Sequence, residues 1–504
     1  MRKKEAERFT LHLMHTNDLH AHLIPFNSDN RICDYEQPAC LGGFARLKTL
    51  VNQYRHRYPD MILLDAGDRF SGTVFYSLQK GENIIRLLNE MNYDAVTLGN
   101  HEFDDGLSEI EKMMTLIQSP VIVSNVIFPH NSPLAQTIMK SVIIRRGAQK
   151  IGVIGLLTDE MKTQSAFAKE IRLRPLLSSV QAETKRLKEK GVSVIIVLSH
   201  IGFEADKSLA QLSQDIDIIV GGHTHTLLSN NPTFPNVQGV YPTVVQNQSG
   251  QPVLIVSAGY GGEYAGQLTV EFNQNGEILS YTGDTQQINT AVQPDDVMKH
   301  EIESVEQSLQ HQLDEALTVS ANPILLTPNT NFCSEECYIG EVLTNTLLQA
   351  VPSAKIAFLN AGGIRAGLPK GTIRYGQLVQ SYPFDSSVVI VNLTGQEIIS
   401  YLEIGLRDFI PNQRTNAFLQ TAGLSDTFNP LTKKVITVLH NGEPLHLNKS
   451  YPVVMASFLA RGGDGYPEQP ESQEIHPSLR QLLKQQMQRS DYKFPPFENR
   501  ITLH

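Results

Sequence analysis

Short apolar runs recur along the first part of the chain, and most are separated by helix-like or polar stretches. They are LHLMH (11–15), MILLD (61–65), DAVTL (94–98), VIVSN (121–125), KIGVIGL (150–156), VSVIIVLS (192–199) and DIIVGG (217–222). Between several of them lie segments with apolar residues at helical spacing, such as 44–54 and 180–190. β-branched runs alternating with such segments predict an α/β arrangement, or a layered αββα one. Two later runs, VLIVSAG (253–259) and GQLTVEF (266–272), read as a meander.

The pattern changes near Pro294. DDVMKHEIESVEQSLQHQLDEAL (295–317) has no Gly or Pro, is charged, and repeats apolar residues at helical spacing, so it reads as one solvated helix between two domains. Beyond it, KIAFLNAGG, SVVIVNLTG, KKVITVLH and YPVVMAS are strands of a separate α+β domain, with a turn at Asn441-Gly442. The expected boundaries are 1–290, a linker helix at 291–321, and 322–504. A chain of 504 residues exceeds what one hydrophobic core covers, which agrees with this division.

Composition narrows the function. A net charge of −10 argues against non-specific nucleic-acid binding, since affinity for phosphate backbones comes mainly from Lys and Arg. No apolar run is long enough to span a bilayer. The first eight residues are charged and show no signal-peptide apolar region, which fits a cytosolic protein or a mature form written without its leader. Four cysteines fall in two close pairs, Cys33/Cys40 and Cys333/Cys337. Such pairs read as two local disulfides in an oxidising compartment, with free thiols or a metal clip as the alternatives.

The chemistry-bearing residues follow the strands. Asp18 and His20 form a D-x-H pair, and on an extended chain alternate residues point the same way. Asp68 follows MILLD; Asn100 and His101 follow DAVTL, with Asp104 three residues on; His200 follows VSVIIVL; His223 and His225 follow DIIVGG. The carboxyl edge of an α/β sheet is where ligands bind. Asp, Asn and His offer O and N donors suited to Zn²⁺, Mn²⁺ or similar ions. Singly, each residue reads as a structural histidine, a turn former or a helix cap. Five strand ends carrying D-x-H, GD, GNH, H and GH-x-H in order are far more specific.

That order resembles the calcineurin-like metallophosphoesterases, and the whole chain resembles the 5′-nucleotidase family. The resemblance is carried by HTNDLHAHL (15–23), LLDAGDRFSGT (63–73), LGNHEFDDG (98–106), SHIGFEAD (199–206), GGHTHTLL (221–228), NAGGIRAG (360–367), SYPFDSSVVIVNLTG (381–395) and SFLARGGDGYP (457–467). It implies a four-layer αββα dimetal domain, a linker helix and a C-terminal α+β nucleotide-binding domain. One divalent ion would be held by Asp18, His20, Asp68 and His225, the other by Asp68, Asn100, His200 and His223. Zinc stands first, with Mn, Co or Mg as alternatives. Animal members carry an amide where His225 stands. His101, oriented by Asp104, would stabilise the transition state or protonate the leaving alkoxide. Phe384 and Phe458 would clamp a nucleobase, Asp464 would bind ribose, and Asn360 and Arg365 would contact base and phosphate. Animal members also bridge cysteines at similar places, which favours Cys33–Cys40 and Cys333–Cys337 as disulfides and a periplasmic or secreted location.

The implied activity is hydrolysis of nucleoside 5′-monophosphates to nucleoside and phosphate. The alternatives are a broader hydrolase of UDP-sugars, NAD, ADP, ATP or cyclic nucleotides, and a non-catalytic nucleotide-binding surface protein. A thiosulfohydrolase is disfavoured by the intact pair Phe384 and Phe458, and the non-catalytic reading by the intact metal positions. The sequence departs from the family at 331–337, where NFCSEEC lacks an Arg that relatives use on the terminal phosphate, and at Gly340-Glu341, where relatives have G-N. The preferred phosphate chain therefore stays open.

Overall fold

A computed structural model describes residues 8–28, 32–159, 161, 171–326, 333, 335–384, 386–410, 415–470, 472–475 and 477–503. Two sheets face each other in the N-terminal domain. One has the strand order Ile278–Gln287, Tyr264–Phe272, Phe9–Thr16, Ile62–Asp65, Ala95–Val96. The other runs Thr243–Gln246, Pro252–Val256, Ile218–Gly221, Val194–His200, Gln149–Leu157, Ser141–Arg146. The strands that lead to the candidate ligands lie parallel within each sheet.

The side-chain period of two explains the layering. In Val194–His200, Val194, Ile196 and Leu198 join Leu11, Leu13, Ile62 and Leu64 between the sheets. The alternate residues Ile195 and Val197 instead pack with Val180, Leu187 and Leu209 of the outer helices Leu176–Glu189 and Phe203–Leu212. On the opposite side Met14 and Leu63 meet Phe44, Leu47, Leu50 and Val51 of helix Phe44–Arg57. Both faces of these strands are covered, which is why their sequences are continuous apolar runs. The arrangement is αββα. Of the expected strands, DAVTL shortens to Ala95–Val96, and VIVSN makes only isolated bridges, through Val121 and Ile122.

Helix Asp296–Leu313 is not a free-standing solvated connector. Its stripe Met298, Ile302, Val305 and Leu309 is buried, and it packs against Phe44–Arg57 and Val74–Gln79 on one side and Tyr375–Ser381 on the other. The charge of its exposed face hides an apolar stripe at spacings of three and four, enough for one buried side. Asp295 caps it by accepting the Met298 N–H at 3.0 Å.

The C-terminal domain is built on a five-stranded sheet, ordered Leu419–Ala422, Ile356–Asn360, Ser450–Ala456, Val388–Thr394, Gln473–Ile475, beside a four-stranded one. The turns after Ile356–Asn360 and Ser450–Ala456 face the N-terminal sandwich. The structure joins Cys33 to Cys40 and Cys333 to Cys337, with Cα separations of 6.2 and 5.7 Å. Residues 331, 332 and 334 of the segment lacking the Arg lie outside the described residues. Glu341 turns away from the cleft: its carboxylate accepts the backbone N–H groups of Glu498 (2.9 Å) and Asn499 (3.0 Å), tying down the C-terminal strand.

Candidate functional site

The five strand ends that carry the candidate ligands meet at one rim of the sandwich, three from the first sheet and two from the second. The donor atoms of Asp18, His20 and His225 lie within 4.8 Å of one another, as do those of Asp68, His200 and His223. Asp68 stands between the groups, with Oδ2 3.1 Å from His200 Nε2 and 3.6 Å from His20 Nε2. Asn100 Oδ1 is 2.9 Å from His223 Nδ1 and 3.2 Å from His200 Nε2. His20 and His225 bring their Nε2 atoms to 3.1 Å.

Asp18 and His20 do not converge by the pleat of a strand. Both adopt positive φ, 49° and 46°, after the strand has ended. Ala21, Asp68, Ser71, His223 and His225 do the same. Non-glycine residues rarely take this conformation, and its concentration here marks a rim held in strained turns by its surroundings.

Buried hydrogen bonds do that holding, and the residues that supply them were not singled out in the sequence. Glu102 is fully buried. Its carboxylate accepts the N–H groups of Asp68 (3.0 Å), Arg69 (2.8 Å) and Gly99 (2.6 Å), which staples the Asp68 loop to the Asn100 loop. Asn17 donates to Asp18 Oδ2 and Gly259 O, each at 2.8 Å, and accepts from Ala258 N–H. The only sequence signal for Glu102 is its place inside GNHE, an acid beside an apolar Phe.

The donor set fits divalent cations. His200 Nδ1 lies 2.7 Å from Ala66 O, an acceptor, so this nitrogen carries a hydrogen. A neutral His200 then turns its Nε2 lone pair on two oxygens, those of Asp68 and Asn100. His20 Nδ1 is buried with no hydrogen-bond partner among the described residues. Acceptors crowded together in this way are stabilised by a cation. The electrostatics agree. Burial pushes the Asp18 carboxyl up to about 7, with Asp68 adding to the effect. Burial opposes charge on His200, yet the Asp68 carboxylate pushes its pKa up to about 10, so the local field holds a proton on a buried imidazole. Asp68 itself is held well below the usual carboxylate range: burial works to raise it, but His200, His101 and His20 prevail.

His101 sits beside this cluster. Its backbone N–H donates to Asp68 Oδ1 at 2.9 Å, and its Nδ1 is 2.8 Å from Asp104 Oδ2, which also accepts from Ser71 Oγ at 2.6 Å. Burial works against its charge, but Asp104 and Asp68 raise its pKa above the ordinary imidazole value.

A cleft of about 910 Å³ joins this rim to the C-terminal domain. Asn360, Arg365, Phe384, Phe458 and Asp464 line its far wall. Asn360 Nδ2 donates to Asp464 Oδ2 at 2.8 Å, and burial pushes the Asp464 carboxyl up to about 6, with Asn360 and Arg365 opposing. Asp464 has φ 53°, directly after Gly462 and Gly463. A Cβ on Gly463 would lie 2.5 Å from the Phe458 ring, so the glycine is what lets that ring lie against the turn. The Arg365 guanidinium lies over the Phe384 ring at 5.1 Å, and Phe384 stacks on His101 at 5.9 Å across the domain boundary. Ser77 Oγ donates to Pro383 O and Arg480 donates to Ser77 O, both across the domain boundary beside Phe384, while Arg480 also donates to Pro383 O within its own domain.

Comparison with known proteins follows this division. Residues 11–227 match the model of the calcineurin-like phosphoesterases, and residues 318–471 match the 5′-nucleotidase C-terminal domain. A 5′-nucleotidase of Mus musculus is 31% identical over 92% of this chain and 84% of its own length. An apyrase of Tabanus yao is 30% identical over 91% and 86%. The crystal structure of a 5′-nucleotidase precursor from Thermus thermophilus superposes with a TM-score of 0.87 at 30% identity, covering 98% of this chain and 99% of that one. With both domains, their order and the full span matched, the chain belongs to the 5′-nucleotidase family.

Proposed function

We propose that this protein hydrolyses nucleoside 5′-monophosphates to nucleoside and phosphate, using two divalent cations, zinc first among them. The carrying observation is Asp68, whose carboxylate lies between two groups of N and O donors while a cleft runs from it to an aromatic wall. In this reading Asp18, His20, Asp68 and His225 hold one ion, and Asp68, Asn100, His200 and His223 the other. Such a pair lowers the pKa of a bound water and neutralises charge on the phosphoryl oxygens. Asp104 fixes the tautomer and aim of His101, so that its Nε2 is directed at the reacting phosphate and can carry a proton to the leaving oxygen. Phe384 and Phe458 stack the base, Asp464 and Asn360 take the sugar and base, and Arg365 takes the phosphate side. The domain limits we adopt are 1–290, 291–321 and 322–504.

A broader nucleotide specificity is the second reading. The cleft continues past the metal rim to Phe203, Glu204 and Gln238, leaving space for a group attached beyond the phosphate. Two disulfides favour a periplasmic or secreted site of action, and no helix among the described residues is long and apolar enough to cross a membrane.

The test is phosphate release from AMP, ADP, ATP, UDP-glucose, cyclic nucleotides and NAD, with and without chelator. Chelator-sensitive release, fastest from AMP, is expected. Absence of release from all of them in the presence of Zn²⁺, Mn²⁺, Co²⁺ or Mg²⁺ would remove the enzymatic reading.

A further inference from the structure

We infer that Arg461 selects the base, favouring purines with a carbonyl at C6 (guanine, hypoxanthine) over adenine. Arg461 closes the short helix Ser457–Ala460, and its backbone N–H donates to Ser457 O at 3.0 Å. It lies three residues after Phe458, the spacing at which side chains leave the same side of a helical turn. Both residues line the cleft. Among the described residues, Lys80, Arg365 and Arg461 are the Lys and Arg residues that line that cleft. Lys80 is paired with Asp105 at 2.8 Å. Arg365 donates to Gly362 O at 2.7 Å and lies over Phe384, which in turn stacks on His101 at the metal rim. The Arg461 side chain is exposed and has no hydrogen bond, ion pair or ring contact among the described residues. It stands one turn from Phe458, beside the wall where a base stacks.

The chemistry then follows from donor count. A guanidinium offers N–H groups and no acceptor. Guanine and hypoxanthine present O6 and N7, two acceptors spaced for its fork; adenine presents N7 beside the N6 amino group, which is itself a donor. Against adenine one N–H is left facing another donor, and specificity of this kind comes from the mismatch as much as from the match.

This inference rests on the nucleotidase reading. The experiment is kcat/KM for GMP, IMP and AMP with the metal-loaded full chain, in wild type, Arg461→Ala and Arg461→Gln. Wild type is expected to prefer GMP and IMP by about tenfold, mainly through KM. Arg461→Ala should bring the three substrates close to parity by weakening GMP and IMP far more than AMP. Arg461→Gln should turn the preference toward AMP, because an amide pairs with both N6 and N7 of adenine. A wild type indifferent to the base or preferring AMP overturns the inference while leaving the nucleotidase reading intact. So does an Arg461→Ala loss equal for all three, which would make Arg461 a general attractor of phosphate. No hydrolysis of any of the three would instead strike at the nucleotidase reading.

Discussion

On one side of the cleft, seven non-glycine residues at or beside the candidate ligands adopt positive φ and are pinned by buried hydrogen bonds. On the other, aromatic rings and a guanidinium rest on glycine turns, and Asp464 alone carries that strain. A rim proposed to hold metal must keep fixed charges at fixed distances, and a dense buried network supplies the rigidity. The opposite wall is proposed to accept a flat ligand, and stacking faces on small-residue turns leave it open and tolerant. The difference predicts that substitutions at the rim destroy turnover, while those on the wall change which substrate is taken and how tightly.

The largest effect expected is at Asp68. Asp68→Asn removes the charge shared by both donor groups and should lower kcat on the order of 10³-fold, equivalent to ~4 kcal/mol, with reduced metal content by elemental analysis. Full activity in this variant would dismiss the bridging assignment. Next is Asp104→Asn, expected to lower kcat about a hundredfold. Asp104 raises the His101 pKa, so His101 keeps its proton to higher pH than an ordinary imidazole and loses it as pH rises through the raised value. Without the carboxylate the alkaline limb of the rate profile should move to lower pH; an unmoved limb would show that His101 does not donate the proton.

Glu102→Gln probes the staple. An amide has one acceptor oxygen where the carboxylate has two, and its NH₂ would confront a backbone N–H. A 10- to 100-fold loss of metal affinity or activity is expected, comparable to other residues that orient ligands, and a wild-type metal titration would show that the strained turns hold themselves. The smallest effect belongs to the wall. Phe458→Ala should raise KM about tenfold with kcat little changed, the usual worth of one stacked base. A fall in kcat with KM constant would place Phe458 on the catalytic side and erase the contrast between the regions.

Much of the metal rim is legible in the sequence because its residue types are chemically unusual where they stand. Asp, His and Asn directly after apolar runs have few structural reasons to occur five times in order. The αββα layering is legible too, since residues 194–198 and 218–220 are apolar without a break and so need cover on both faces. The convergence of Asp18 with His20 was expected from the pleat and instead comes from left-handed turns, because the strand stops at Thr16. Glu102 and Asn17 carry little sequence signal, since most of their partners are backbone groups far along the chain: the N–H groups of Asp68 and Arg69 for Glu102, and Ala258 N–H and Gly259 O for Asn17. The apolar stripe of the linker helix was visible, but its burial against both domains depended on where the C-terminal domain sits.

The sequence by itself determined which side chains are candidate metal donors, the order in which strands deliver them, the two cysteine pairs and the succession of two different kinds of domain. Each is a matter of local period or residue chemistry. Only the tertiary structure decided that two sheets bring their carboxyl ends to one rim, that Asp68 lies between two donor groups, and that Phe384 reaches His101 from a separate domain. Those relations join residues about 30 to 280 positions apart. They depend on packing that no local pattern encodes, and so does the placement of Arg461 beside the wall proposed to take the base.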